Sequence, residues 1–201
     1  MKVIGLCGGS GSGKGTVGRM LFELGIPTID TDSVYRELTS KPSECLRALS
    51  LEFGDRIISP DGGLDRKALR DLVFYGESSE ARLKKLNEIS HAYILCETRR
   101  RISVFEKDGY GAVTVDAPLL FESGFDRECD AIIAVLADTE VRVDRIMKRD
   151  GIDREAAGRR ISTQIPDEEL RRRADFIIVN SGNTDTLLKN VSEVAEKILK
   201  L

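Results

Sequence analysis

The chain has 201 residues, of which 41% are hydrophobic and 32% charged, with a formal net charge of −3. This composition excludes a disordered or fibrous chain, and the length allows one sizeable core or a core bearing a subdomain. No apolar run approaches the ~20 residues that span a bilayer, and the mild acidity gives no overall attraction to nucleic acid.

The first predicted element is the apolar run Val3–Leu6, which reads as a short buried strand. Gly8-Gly9-Ser10-Gly11-Ser12-Gly13-Lys14-Gly15-Thr16 follows it directly, and Val17–Leu24 then reads as a helix. Glycines let a backbone turn its N–H groups inward around an anion, a lysine adds a point charge, and a helix N-terminus favours phosphate. Strand, G-x(4)-G-K and helix in that order form a nucleotide-phosphate loop in its confirming context, with Gly9, Gly11, Ser12, Gly13, Lys14, Gly15 and Thr16 as the expected phosphate contacts. The residue after the loop lysine usually carries the hydroxyl that meets Mg²⁺. Here it is Gly15, so a magnesium held through water with Thr16 close by is the expectation.

Ile26–Ile29, Ala112–Val115, Ala131–Leu136 and Phe176–Val179 complete a set of five strand-like runs. They are rich in Val, Ile and Leu and alternate little, as parallel strands covered on both faces do. A three-layer α/β fold with right-handed crossovers is predicted. Residues 33–110 are too many for one crossover helix. Helical patterns at roughly Ser33–Thr39, Ser43–Phe53, Asp65–Phe74 and Ser78–Lys107, with turn signals at Lys41-Pro42 and Ser59–Gly63, describe a helical insertion that could hold a substrate. A second excursion, 151–173, is arginine-rich and reads as a lid; from Arg142 to Arg173 there are ten Lys or Arg and seven Asp or Glu. The predicted organisation is a nucleotide-binding core of 1–32, 111–150 and 174–201, an acceptor-binding insertion of 33–110 and a lid of 151–173.

Ligands of open α/β sheets gather beyond the carboxyl ends of the strands. Asp30 and Asp32 stand after the second strand, where a carboxylate can orient an acceptor hydroxyl and take its proton or simply cap the next helix. Asp116, after the third strand, suits an outer-shell partner of Mg²⁺ or a turn before Pro118. Arg145 and Arg149 share a helix face and are the first choices for contacts to transferring phosphate; the remaining arginines fit a solvated, ion-paired surface. Asn180-Ser181-Gly182, after the last strand, either contacts adenine or forms an ordinary turn. Cys7, Cys45, Cys96 and Cys129 are widely spaced, which points to reduced thiols, a cytoplasmic chain and no zinc site; the early position of the glycine loop leaves no signal-peptide layout.

Taken together, these motifs resemble dephospho-coenzyme A kinases over nearly the whole chain. The pieces that carry the resemblance include Ile29-Asp30-Thr31-Asp32, Gly63-Leu64-Asp65-Arg66-Lys67-Ala68-Leu69 and Leu86-Asn87-Glu88-Ile89-Ser90-His91. Asp116-Ala117-Pro118-Leu119-Leu120-Phe121-Glu122, Arg145-Ile146-Met147-Lys148-Arg149-Asp150 and Ala174–Asn180 extend it. The resemblance implies a P-loop kinase fold, ATP and dephospho-coenzyme A as substrates, and Mg²⁺. It further implies Lys14, Asp32 and Arg145 as catalytic residues, Asp32 being the base or orienter for the ribose 3′-hydroxyl. Arg149 and Asn180 would then serve ATP, and Asp32, Arg66, His91, Pro118, Leu119 and Glu122 the acceptor. Gly15, Cys7 and the pair His91-Ala92 depart from the family's usual Ser, Thr and His-Pro. A nucleoside or nucleoside-monophosphate kinase is the alternative with the same plan. The absence of an Asn-Lys-x-Asp string speaks against a GTPase switch.

Overall fold

In the computed structural model, which describes residues 1–75 and 78–200, the sheet contains five strands. They are β1 (Lys2–Cys7), β2 (Thr28–Asp30), β3 (Ala112–Asp116), β4 (Ala131–Leu136) and β5 (Phe176–Val179). They lie in the order β2-β3-β1-β4-β5, and every adjacent pair is parallel. Because β1 is flanked by β3 and β4, the carboxyl end of β1 marks the point where the winding changes direction, and ligands of open α/β sheets bind there.

Helices cover the sheet as the apolar runs require. One face of β1, β4 and β5, carried by Ile4, Leu6, Ile133, Val135 and Ile178, packs with α1 (Lys14–Glu23) and α9 (Thr184–Ile198) through Val17, Leu21, Leu187, Val191 and Ile198. Each buried Val, Leu, Ile or Met of this core contributes about 1.5–3 kcal/mol of transfer free energy before entropy is charged against it. The strand starts are tied by carboxylates: Val3 N–H donates to Asp130 at 2.7 Å and Ile132 N–H to Asp175 at 2.8 Å.

β2 begins two residues later than the apolar run suggests. Ile26 is fully buried, but its N–H donates to Leu21 O at 2.9 Å and so closes the last turn of α1. Pro27 has no N–H for a ladder, yet its carbonyl accepts from Thr114 N–H at 2.8 Å. The next helix, α2 (Thr31–Thr39), starts immediately at the end of β2, two residues earlier than expected. Asp32 therefore lies in its first turn, where the helix dipole favours a negative charge.

Two compact units divide the chain. One is Met1–Asp30 together with the chain from Ile102 onward, and contains the sheet; the other is Thr31–Arg101. In the second unit α2, α3 (Glu44–Phe53), α4 (Arg66–Phe74) and the first part of α5 (Ser79–Lys107) enclose a separate core of Cys45, Leu49, Phe53, Ile57, Leu69 and Val73. Ser43 and Asp65 cap α3 and α4 by accepting from Leu46 and Ala68 N–H groups. The Ser59–Gly63 turn signal is a turn, closed by Ser59 N–H donating to Gly63 O at 2.8 Å. In the first unit, α6 (Thr139–Asp150) and α7 (Arg154–Ser162) share a small core of Val143, Ile146 and Ala157, and α8 (Asp167–Arg173) follows. Among the described residues, no helix is long and apolar enough to cross a membrane.

Candidate active site

The site of the first unit grows from the loop between β1 and α1. Gly13 has φ 93° and ψ 26°, a left-handed conformation that costs an L-residue about 1–2 kcal/mol and glycine almost nothing. That turn aims the start of α1 back across the loop. Gly13 O then accepts from Thr16 and Val17 N–H at 3.0 and 3.1 Å. The first N–H groups of the helix, at Lys14 and Gly15, have no acceptor within it and are the natural partners of an anion.

Gly9, Ser10, Gly11, Gly13, Lys14, Gly15, Asp116, Arg145 and Arg149 line one cleft of about 250 Å³. Lys14 Nζ lies 3.8 Å from Asp116 Oδ1, and both side chains are only 16% exposed. Asp116 is the last residue of β3, in register with Leu6 on one side and Asp30 on the other. Two carboxylate positions therefore stand side by side at the carboxyl edge of the sheet, close to the loop lysine. From α6, Arg145 donates to Gly11 O at 3.1 Å and to Ser12 O at 3.4 Å, and Arg149 donates to Ser10 Oγ at 3.2 Å. Arg149 also donates to Asp150 at 2.7 Å, and this bond, with Arg160 adding to it, holds the Asp150 carboxyl down to about 2.

A cationic, partly walled cleft with helix-terminal N–H groups at its floor is built for a polyphosphate. The sequence model of the dephospho-CoA kinases matches residues 2–186 of this chain. The chain belongs to the dephospho-CoA kinase family. A dephospho-CoA kinase of Fusobacterium nucleatum is 38% identical over 196 residues, covering 98% of each chain. One of Bacillus thuringiensis is 41% identical over 180 residues, 90% of this chain and 88% of its own. Among solved structures, dephospho-CoA kinase from Campylobacter jejuni superposes with a TM-score of 0.72 at 26% identity, over 98% of this chain and 97% of that one. A shikimate kinase from Acinetobacter baumannii, at 17% identity and a TM-score of 0.54, shares the fold over 100% of this chain and 94% of its own. The three-layer, P-loop kinase fold and the kinase class of this chain follow from these matches.

The structure brings most of the expected phosphate contacts together and separates a few. Ser12, Thr16 and Asn180 are absent from the cleft lining. Ser12 is 1% exposed, and its carbonyl accepts from Asn180 Nδ2 at 2.8 Å and from Arg145. Asn180 is buried, and its Oδ1 accepts from Arg145 Nη2 at 3.5 Å. Both ends of its amide thus engage the loop and Arg145. Thr16 Oγ1 accepts from Arg19 at 3.3 Å. Pro118, Leu119 and Glu122 are exposed just beyond β3. Asp32, Arg66 and His91 belong to the second unit: Asp32 is exposed in α2, Arg66 opens α4 behind its Asp65 cap, and His91 is half-buried in α5.

Several arginines of the 151–173 segment pair with carboxylates. Arg154 meets Glu140, Arg159 meets Glu155, Arg160 meets Asp150, and Arg172 and Arg173 meet Glu169. Such exposed pairs are worth about 0–1 kcal/mol each. Sequence reasoning passed over Arg142, which is buried beneath the loop. Its spacing was the available signal, because 142, 145 and 149 fall on one helical stripe.

Cys7, at the end of β1, is 4% exposed, and burial pushes its thiol up to about 11 despite the opposing pull of Lys14. It is a packing residue beside the loop and supplies no thiolate near neutrality.

Proposed function

We propose that this chain transfers the γ-phosphoryl group of ATP to the ribose 3′-hydroxyl of dephospho-coenzyme A, giving coenzyme A and ADP as the final step of coenzyme A biosynthesis. One observation carries the reading: a loop lysine within 3.8 Å of a strand-end carboxylate, in a cleft walled by loop amides and two arginines. In this mechanism the 3′-oxygen attacks the γ-phosphorus while the bond to the β,γ-bridging oxygen breaks and ADP leaves. Asp32, two residues along the chain from the sheet-edge Asp30, orients the hydroxyl and accepts its proton. Lys14 and the first amides of α1 hold the β- and γ-phosphates, and Arg145 and Arg149 neutralise charge that grows on the transferring group. Asn180 supports this arrangement by bracing the Ser12 peptide and Arg145.

Mg²⁺ fits the donors present. Among the described residues no cluster of three or more His, Cys, Asp or Glu forms an all-protein cage. The Asp116 carboxylate in the lining of the phosphate cleft suits an ion that keeps several waters and takes phosphate oxygens. Bound there, magnesium would withdraw charge from the phosphates, with Asp116 as its protein partner and Thr16 acting at most through water. We assign 1–32, 111–150 and 174–201 to the nucleotide core, 33–110 to the acceptor, with Arg66, His91, Pro118, Leu119 and Glu122 as its contacts, and 151–173 to a lid that excludes water. A cytoplasmic location goes with this assignment.

The test is a product assay with ATP and a panel of acceptors: dephospho-coenzyme A, AMP, CMP and uridine. Formation of coenzyme A with little turnover of the others is expected. Preference for AMP, CMP or uridine would move the chain to the nucleoside or nucleotide kinases.

A further inference from the structure

Gly9 is a glycine without a positive φ, so the turn does not explain it. The explanation is a close approach from the other side: a Cβ at Gly9 would overlap Arg142 Nη2 and come within 2.9 Å of Gln164 Oε1. A Cβ at Gly11 would lie 2.7 Å from Arg142 O and 2.9 Å from its Cα. The loop is pressed against the first turns of α6, and Arg142 fills the space that two missing side chains leave.

Arg142 is 3% exposed, and each of its three guanidinium nitrogens donates a hydrogen bond. Nε donates to Ser10 O at 3.0 Å, Nη2 to Gln164 Oε1 at 2.9 Å and Nη1 to Asp167 Oδ1 at 3.0 Å. Gln164 Oε1 also accepts from Ser10 N–H, at 2.9 Å. Both polar groups of the Ser10 region are thus fixed, the carbonyl by Arg142 and the amide by Gln164, while Asp167 balances the buried charge. Gln164 and Asp167 bracket the turn from α7 to α8, inside the excursion 151–173.

We infer that Arg142 is a positioning residue that holds the phosphate loop ready for the nucleotide and ties it to the α7–α8 turn through Gln164 and Asp167. Arg142 is not in the lining of the cleft and acts on the nucleotide only through the loop. A planar guanidinium can meet three acceptors at fixed angles, which an ammonium cannot reproduce. Because one oxygen of Gln164 serves both Arg142 and Ser10, removal of either side chain releases one of the two peptide groups that flank Ser10 and loosens the hold on the other, and their effects must be coupled. The inference rests on the ATP reading for its kinetic consequence and on geometry alone for the linkage.

The experiment compares wild type, R142Q, R142K, Q164A and R142Q/Q164A. KM for ATP should rise about 10- to 100-fold in R142Q, the range expected when a buried charged hydrogen bond is lost, with KM for the acceptor nearly unchanged. R142K should not restore it, and the double variant should be little worse than R142Q. Amide exchange in the nucleotide-free proteins is read alongside. R142Q and Q164A should each speed exchange at Ser10–Ser12 and at 163–167 together. Should R142Q fail to fold, Q164A alone must still raise KM for ATP and loosen both segments. A lowered melting temperature with unchanged KM for ATP, strictly additive effects, or exchange altered in only one of the two segments would overturn the inference. If wild type uses no ATP, the ATP reading fails, while joint loosening of the two segments still supports the linkage and its absence refutes it.

Discussion

Replacing Gly13 with alanine tests how the phosphate loop is made. Two costs add. At φ 93° an alanine pays about 1–2 kcal/mol for left-handed backbone. Its Cβ would also overlap Asn180 Nδ2 and lie 3.3 Å from Asn180 Cγ, displacing the buried bond from Asn180 to Ser12 O. Losing that bond costs about 1–3 kcal/mol because both groups stay buried. The sum, about 2–5 kcal/mol, is a large share of the 5–15 kcal/mol typical of a folded domain. Urea denaturation should show that loss, and KM for ATP should rise with it. The decisive assay is a double-mutant cycle with Asn180→Ala. Removing the amide opens room for the new methyl, so only the backbone part of the Gly13→Ala penalty should survive, with a coupling of about 1–3 kcal/mol. Wild-type stability in Gly13→Ala, or strict additivity in the cycle, would refute the reasoning.

Asp32→Asn should lower turnover by about 10²-fold or more if the carboxylate takes the acceptor's proton, measured as coenzyme A formed at saturating ATP; near-normal turnover would remove it from that role. Thr16→Val should reduce turnover more at low than at high Mg²⁺ if its hydroxyl helps to hold the ion's water, and equal activity across a Mg²⁺ titration would exclude this. Glu97 accepts from Arg100 at 2.7 Å and from Arg101 at 2.8 Å, and these bonds hold its carboxyl down to about 2. A depressed folded-state value stabilises above the unfolded pKa of 4.5 and is lost on the way down to about 2, so stability should fall in that acid window, by on the order of 1–3 kcal/mol. Glu97→Gln should flatten this part of the pH profile in chemical denaturation, and an unchanged profile would discard the argument. Burial raises the Cys7 and Cys45 thiols to about 11 and Cys129 to about 12, whereas Cys96 is exposed. At pH 8 a thiol-reactive probe should therefore label Cys96 quickly and the other three only after denaturation; rapid native labelling of Cys7 would contradict its packed environment.

The sequence determined the five strands and the phosphate loop with little help. Parallel strands covered on both faces are unbroken apolar runs, as in Ala131–Leu136, and G-x(4)-G-K needs its glycines and lysine whatever the rest of the chain does. The kinase family was legible too, because its motifs run the length of the chain. The edges of elements were less so. Ile26 belongs by hydropathy to a strand, but closing α1 claims its N–H, and only the three-dimensional path shows that. What the tertiary structure alone decided is which side of the loop each polar group serves. Arg145 and Arg149 face the cleft, whereas Arg142 and Asn180, drawn from α6 and from the end of β5, are buried on the protein side and brace the same backbone. Helical spacing places Arg142 on the stripe of Arg145 and Arg149, but it cannot place Ser10 or Gln164 against it. The Ser10 contact spans 132 positions and the Gln164 contact 22, beyond the reach of helical spacing, and the partners are chosen by packing, which no local pattern encodes.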